Sequence, residues 1–337
     1  SSTPELDTAI QNVVDNTIIP ASANFKAHAE ALDNSAELFC STNGTNEQNL
    51  TALQVQWQQT NNAWFQLLPF KFGPMEGSVV FPTYTYIDSY RVNGFNYLET
   101  VRTEVDTLLG SADEITDTTF TTKTFNKVGL LALEVSIFET ASDQSTTPSD
   151  ITSEYTGNDA KCDILTGYSA ELLRRATIID DRWTSDYQDS GSSYRDLLIN
   201  DQLETISGED GSSATTKIVL ATQNYFDYLT NRDVTDSVAT LGSSIWNSLD
   251  LSVDITEELM MGIEGTSLSL FDIMKNTNGN DQDVNTITDN LTYMHTTIGE
   301  EDKTSMQAAS KALDSNFKVE VTTGLDINAG LSFADGD

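Results

Sequence analysis

The chain has 337 residues, 38% of them hydrophobic, and its 52 acidic against 17 basic side chains give a net charge of −35. That acidic excess argues against nucleic acid and anionic membrane surfaces as partners, and it favours solubility where salt screens self-repulsion. The length allows two domains of ordinary size, no stretch approaches the roughly 18 apolar residues of a membrane span, and no basic and apolar leader opens the chain, which reads as mature or trimmed.

Residues 6–39 carry apolar side chains at Ile10, Val13, Ile18, Phe25, Leu32 and Phe39, a helical spacing interrupted by Pro20. One long helix kinked at Ile19-Pro20, or two in line, is expected. Gly44 marks a turn, and Asn46 stands where it can cap a second helix in which Leu50, Leu53, Trp57, Trp64 and Leu67 step by three and four as far as Pro69. From 75 to 94 the helical period is lost in a loop rich in Tyr, Pro and Gly that contains Tyr90 and a single cation, Arg91. Long irregular segments inside compact domains are often functional. Helical spacing resumes over 95–109.

The stretch 125–139 reads F-N-K-V-G-L-L-A-L-E-V-S-I-F-E. At about 100° per residue its apolar side chains point almost all the way round, so a helix buried on most faces is expected, with Glu134 inside it. A buried carboxylate is costly unless it is paired or hydrogen-bonded. Residues 141–158, rich in Ser, Thr and Asp with Pro148 and Gly157, form the expected linker between an N-terminal helical domain, 1–157, and a C-terminal bundle, 158–337. Helical patterning then covers 159–187, 194–206, 215–229, 234–249, 255–274, 284–298 and 303–321, with 276–283 as a polar loop. Strand signals are nearly absent, and the chain reads as all-α, with about ten helices in two helical-bundle domains.

His28 and His295 come from opposite ends of the chain, and each reads as a residue of a polar helix face rather than one half of a zinc site. No H-E-x-x-H, P-loop, G-x-S-x-G or C-x-x-C occurs, and 276–283 lacks the glycine and terminal glutamate of an EF-hand. Cys40 and Cys162 lack metal-ligand spacing and fit either two buried thiols or one long-range disulfide. Trp57 and Trp64 share a helix face; packing is the first explanation, and ligand stacking by Trp64 the second. Arg91 reaches Glu134 if the aromatic loop folds over the buried helix. Arg174, Arg175 and Arg182 suit local pairing along their own helix. Glu134 is either a structural buried acid or part of a binding site.

Several segments together resemble the imelysin family: I-I-P-A-S-A-N-F-K at 18–26, L-F-C at 38–40, W-Q-Q-T-N-N-A-W at 57–64 with F-K-F-G-P at 70–74, and the ending G-L-D-I-N-A-G-L-S-F-A-D-G-D at 324–337. Imelysins are bacterial secreted or membrane-anchored proteins first described as insulin-cleaving metallopeptidases and implicated in iron uptake. The family signature G-x-H-x-x-E falls on 129–134, where Gly129 and Glu134 are kept and Leu131 stands in place of the histidine. His and Glu at that spacing share one helix face, as two ligands of one metal ion would. Leu131 supplies no lone pair, so neither a metal nor a catalytic residue is expected at this degenerate GxHxxE motif; iron or another divalent metal is left open elsewhere.

The resemblance further implies two helical domains with the signature helix near their interface. It implies export to the periplasm, or as an outer-membrane lipoprotein, through a signal that precedes this chain. In such an oxidising compartment Cys40 and Cys162 are expected to form a disulfide. The function implied is that of a non-catalytic protein of an iron-uptake system, binding a ligand or partner between its domains through Glu134, Gly129, Arg91, Tyr90 and Trp64, with iron-uptake or cell-envelope components as partners. The alternatives are a metallopeptidase whose metal is held by Glu134 and other oxygen ligands, and a structural cell-surface adaptor.

Overall fold

The computed structural model describes residues 3–77, 80–89, 95–116, 118–235, 245–263, 268–278, 280–327 and 333, and every regular element among them is helical. Helix α1 (Pro4–Val13) passes through one π-helical turn, Val14–Ile18, into α2 (Ile19–Ser41). Pro20 has no N–H to give, and its ring crowds the carbonyl four residues back. The wider turn, in which Ile19 N donates to Val14 O, makes room for that ring without ending the helix. Asn46 caps α3 (Glu47–Leu67): its Oδ1 accepts from the amides of Gln48 and Asn49 at 2.9 and 3.1 Å. Pro69 then tightens the chain into the 3-10 turn Leu68–Phe70.

Helix α2 packs against α3 on one side and along the 26-residue α8 (Asp159–Thr184) on another. Their shared core takes Phe25, Leu32 and Phe39 from α2, Trp57 and Trp64 from α3, and Ile164, Leu172 and Ile179 from α8, all buried. The Cys40–Cys162 disulfide joins the end of α2 to the start of α8, with the Cα atoms 5.6 Å apart. The expected pairing is therefore formed.

Three stretches outside the buried helix differ from their sequence reading. Residues 141–158 hold α7 (Pro148–Tyr155), whose fully buried Tyr155 meets Phe39 edge-on with ring centroids 5.1 Å apart. The aromatic loop contains the five-residue helix α4 (Thr83–Ile87), too short to show a period, before α5 (Leu98–Leu109). In the C-terminal half, α9 (Tyr194–Ile199) and α10 (Ala214–Asn231) precede α11 (Ile245–Met261), which runs unbroken through the interruption expected between 249 and 255. No Gly or Pro falls there, and the inward hydroxyls are satisfied: Ser248 Oγ donates to Asn62 Oδ1 at 2.6 Å and Ser252 Oγ accepts from Tyr225 OH at 2.5 Å. Helix α12 (Leu270–Asn278) and α13 (Asp281–Gly299) then close in on the polar loop expected over 276–283.

Helix α14 (Lys303–Lys318) packs between α10 and α13, and α15 (Glu320–Gly324) follows it. Helix α13 packs on α11, and α11 lies against α3, which links the C-terminal helices to the N-terminal ones. No described helix is long and apolar enough to cross a membrane.

Candidate functional site

The buried helix is shorter than 125–139. A 3-10 turn, Phe125–Lys127, is followed by extended Val128, and α6 (Leu130–Phe138) starts only after Gly129, the residue at its N-cap. Gly129 has φ +92° and ψ −163°, and a Cβ there would lie 2.6 Å from the carbonyl oxygens of both Tyr86 and Ile87. Only glycine allows that backbone conformation and that approach, so the start of α6 is set against the end of α4. Gly129→Ala is expected to destabilise the protein by about 2–3 kcal/mol, since two backbone carbonyls cannot swing aside. Gly157→Ala is the control: its φ is +71° but nothing lies within 4 Å of an added Cβ. There the expected cost is about 1 kcal/mol, and equal losses in thermal melts of the two variants would refute the steric argument.

All nine residues of α6 are buried. Helix α3 grips it through side chains that donate to its backbone: Trp57 Nε1 to Leu130 O at 3.0 Å and Gln54 Nε2 to Ile137 O at 2.9 Å. Tyr155 OH from α7 donates to Ser136 O at 2.7 Å. The last carbonyls of the helix thus gain partners that the helix itself lacks. Glu139, just past the end, takes a two-pronged hydrogen bond from Arg102 of α5, at 2.7 and 2.8 Å. Leu131 and Glu134, at i and i+3, share a face and are 4% and 2% exposed; Glu134 is engaged rather than free.

Trp64 donates from Nε1 to Asp88 Oδ2 at 2.8 Å, both side chains buried. The residues just after α4 are therefore held from one side by α3, while Gly129 meets the helix itself. Beside Asp88, the buried hydroxyl of Ser89 has no hydrogen-bond partner among the described residues. Tyr90 and Arg91 lie outside the described residues, and with them the expected Arg91–Glu134 contact. Gly129, Trp64 and the 83–89 segment are brought together; the segment's Asp88 was not singled out in the sequence, where nothing links it to Trp64.

A cleft lies close to this segment, with Lys71 of its lining 5.2 Å from the Tyr84 ring centre. Arg182 of α8 donates to Pro74 O and Thr83 Oγ1, both at 2.9 Å, and Thr83 N donates to Glu76 O at 2.7 Å, which ties 74–76 to the start of α4. Of the three arginines read as locally paired, Arg174 and Arg175 do bond Glu171, whereas Arg182 makes this long-range contact instead. Between residues 71–76 and α9 and α10 lies a cleft of about 330 Å³, lined by Lys71, Glu76, Tyr194, Glu209, Asp210 and Lys217 among others. Phe72 and Tyr194 of its lining meet Trp183 edge to face, and Tyr187 meets Tyr194 in the same way.

The cleft is polar and densely charged. Lys217 donates to Asp210 Oδ1 at 2.7 Å; with hydrogen bonds from Ser212, this holds the Asp210 carboxyl down at about 2. Burial, then repulsion from Glu209, pushes the Glu76 carboxyl up although it sits at the exposed rim. Burial, then the Glu76 charge, raises the Tyr84 hydroxyl. Lys71 Nζ lies 5.2 Å from the Tyr84 ring centre and 5.4 Å from that of Tyr228, within cation–π range of both. Neither histidine lines this cleft, and neither does Glu134. The groups this surface presents are ammonium, carboxylate and phenol. The sequence singles out none of these cleft side chains; Lys71 falls within the F-K-F-G-P run at 70–74.

Fold and site together define an all-helical, disulfide-linked protein built round a buried, acid-bearing helix and an adjoining polar cleft. The chain belongs to the imelysin family, whose model matches residues 18–250. Among solved structures it is similar to an imelysin-like protein from Psychrobacter arcticum, with TM-score 0.74, 14% identity and 98% of each chain covered. It is also similar to a protein from Parabacteroides distasonis provisionally described as an iron-regulated protein A precursor, with TM-score 0.61, 14% identity and 96% of each chain covered. No curated protein matches the sequence.

Proposed function

We propose that this chain is an exported, non-catalytic imelysin-family protein of an iron-uptake system, which binds a ligand or partner where α6 meets the 83–89 segment and the adjoining cleft. The observation that carries the reading is Leu131 on the same buried face as Glu134. Gly129 to Glu134 is then the family signature with its histidine exchanged for a side chain that has no lone pair. The neighbours along α6 are Leu, Ala and Val, so these residues do not fit a metal ion. Among the described residues, the group of three close ligand atoms lies elsewhere, in the C-terminal helices. A disulfide suits an oxidising compartment, periplasm or outer membrane face, and the likeness to a chain described as an iron-regulated precursor agrees with export and with iron.

The test has two arms. Purified protein is expected to leave insulin intact with and without added Zn²⁺. Cells lacking the protein are expected to accumulate less iron under iron limitation, a loss restored by the wild type but not by a folded Glu134→Gln variant. Cleavage by the wild type that Glu134→Gln abolishes would restore a metallopeptidase. Iron accumulation indifferent to the deletion would remove the iron role.

A further inference from the structure

Four ionisable side chains converge on the C-terminal helices, away from α6 and the cleft. Asp250, Asp254 and Glu257 recur on α11 at i, i+4 and i+7, which is one stripe of the helix, and α13 lays His295 across it. His295 Nδ1 is 2.6 Å from Asp250 Oδ1; Nε2 is 2.6 Å from Glu257 Oε1 and 3.3 Å from Asp254 Oδ1. Among the described residues no Lys or Arg pairs with any of these three carboxylates, so even a charged imidazole leaves two negative charges uncompensated.

The two ring nitrogens have different surroundings. One carboxylate fixes the ring through Nδ1, while Nε2 is turned toward two others. Histidines that bind metals are commonly oriented in this way, with the nitrogen opposite the metal held by a carboxylate. Asp250, Asp254 and His295 each offer a ligand atom within 4.8 Å of the other two, with Glu257 against Nε2, a spacing that suits a small divalent cation. With ligand bonds of about 2.0–2.2 Å and tetrahedral to octahedral angles, neighbouring ligand atoms stand about 2.8–3.6 Å apart. Asp254 already meets that condition, and Glu257 needs to draw back by only a few tenths of an ångström. The His295 and Glu257 side chains are 25% and 27% exposed, and that of Asp254 is 54% exposed. Such a site is open to exchange, and water can complete the coordination. One imidazole among carboxylates, with no thiolate, favours first-row transition cations over both Ca²⁺ and the softer ions.

We infer that His295 with Asp250, Asp254 and Glu257 forms a site for a first-row divalent transition-metal cation, one carboxylate holding the ring while the others take the ion. The site is independent of the reading given to Glu134. The chain contains only two histidines, so the test has an internal control in His28, which lies on α2 beside Gln56 at 3.1 Å. The full chain, freed of metal and kept in excess Mg²⁺ to occupy weak acidic sites, is titrated with Zn²⁺ while the histidine ring resonances are followed by NMR and heat by calorimetry. One equivalent is expected to bind and to move the His295 ring signals while leaving those of His28 in place. His295→Gln and Glu257→Gln are each expected to weaken that binding at least tenfold, and Glu134→Gln to leave it unchanged. Unmoved His295 signals, or Zn²⁺ binding that survives His295→Gln undiminished, would overturn the assignment.

Discussion

Removal of the Cys40–Cys162 disulfide is expected to destabilise the protein by about 5 kcal/mol. The bridge closes a loop of 122 residues. In the chain-entropy account, a crosslink of that length restricts the unfolded chain by roughly 5 kcal/mol at room temperature. Little of this should come from lost native contacts. The ends it joins are also held by Phe39 against Tyr155 and by Ser169 Oγ donating to Asp33 at 2.6 Å. The Cys40→Ser/Cys162→Ser variant should therefore keep its far-UV signature while its urea midpoint falls and its m-value rises, because the unlinked chain expands further on unfolding. Coincident midpoints for the variant and the oxidised wild type would show that the crosslink adds no stability.

Arg102→Met is expected to cost about 3–5 kcal/mol, because it leaves the Glu139 carboxylate, 2% exposed, buried without its guanidinium. Arg102 reaches this carboxylate with two nitrogens and Glu99 with a third, at 2.6 Å, and these bonds raise its own pKa, the Glu139 hydrogen bond most of all. The double variant Arg102→Met/Glu139→Leu should recover most of the loss, to within about 1 kcal/mol of the wild type, since an apolar pair needs no desolvated charge to be answered. Denaturant melts of the wild type, both singles and the double make the comparison. If the double variant is as unstable as Arg102→Met, the loss is one of packing around α5 and not of an orphaned charge.

The features legible in the sequence were those that depend on near neighbours in the chain. Period marked α2, α3 and α8, Pro20 marked the irregular turn, and Asn46 marked the cap, because each acts within about one helical turn. The burial of α6 was legible for the same reason: nine residues with apolar side chains on nearly every side leave a helix no solvent face. Its starting point was not, since Gly129 takes its conformation from carbonyls of Tyr86 and Ile87, more than forty positions earlier. Nor does α11 read as one helix: the pattern divides between 249 and 255, where Ser248 and Ser252 are bonded by Asn62 and Tyr225 from helices far off in sequence. His295 read as a surface residue because its three acidic neighbours belong to another helix, although their own spacing, D-x3-D-x2-E, was visible.

The π-helical turn at Val14–Ile18 also sets the rotational phase between two helices. A π turn holds one residue more than an α turn, and each residue rotates a helix by about 100°. Upstream, α1 buries Leu6, Ile10 and Val13 and packs on α12 and α9; downstream, α2 faces α3 and α8. A continuous α-helix through both could not serve the two contacts at once, for one stripe would point about a quarter-turn astray. The single extra residue works as an offset gear: it lets one rod-like element engage the C-terminal helices at one end and bring Cys40 into line with Cys162 at the other.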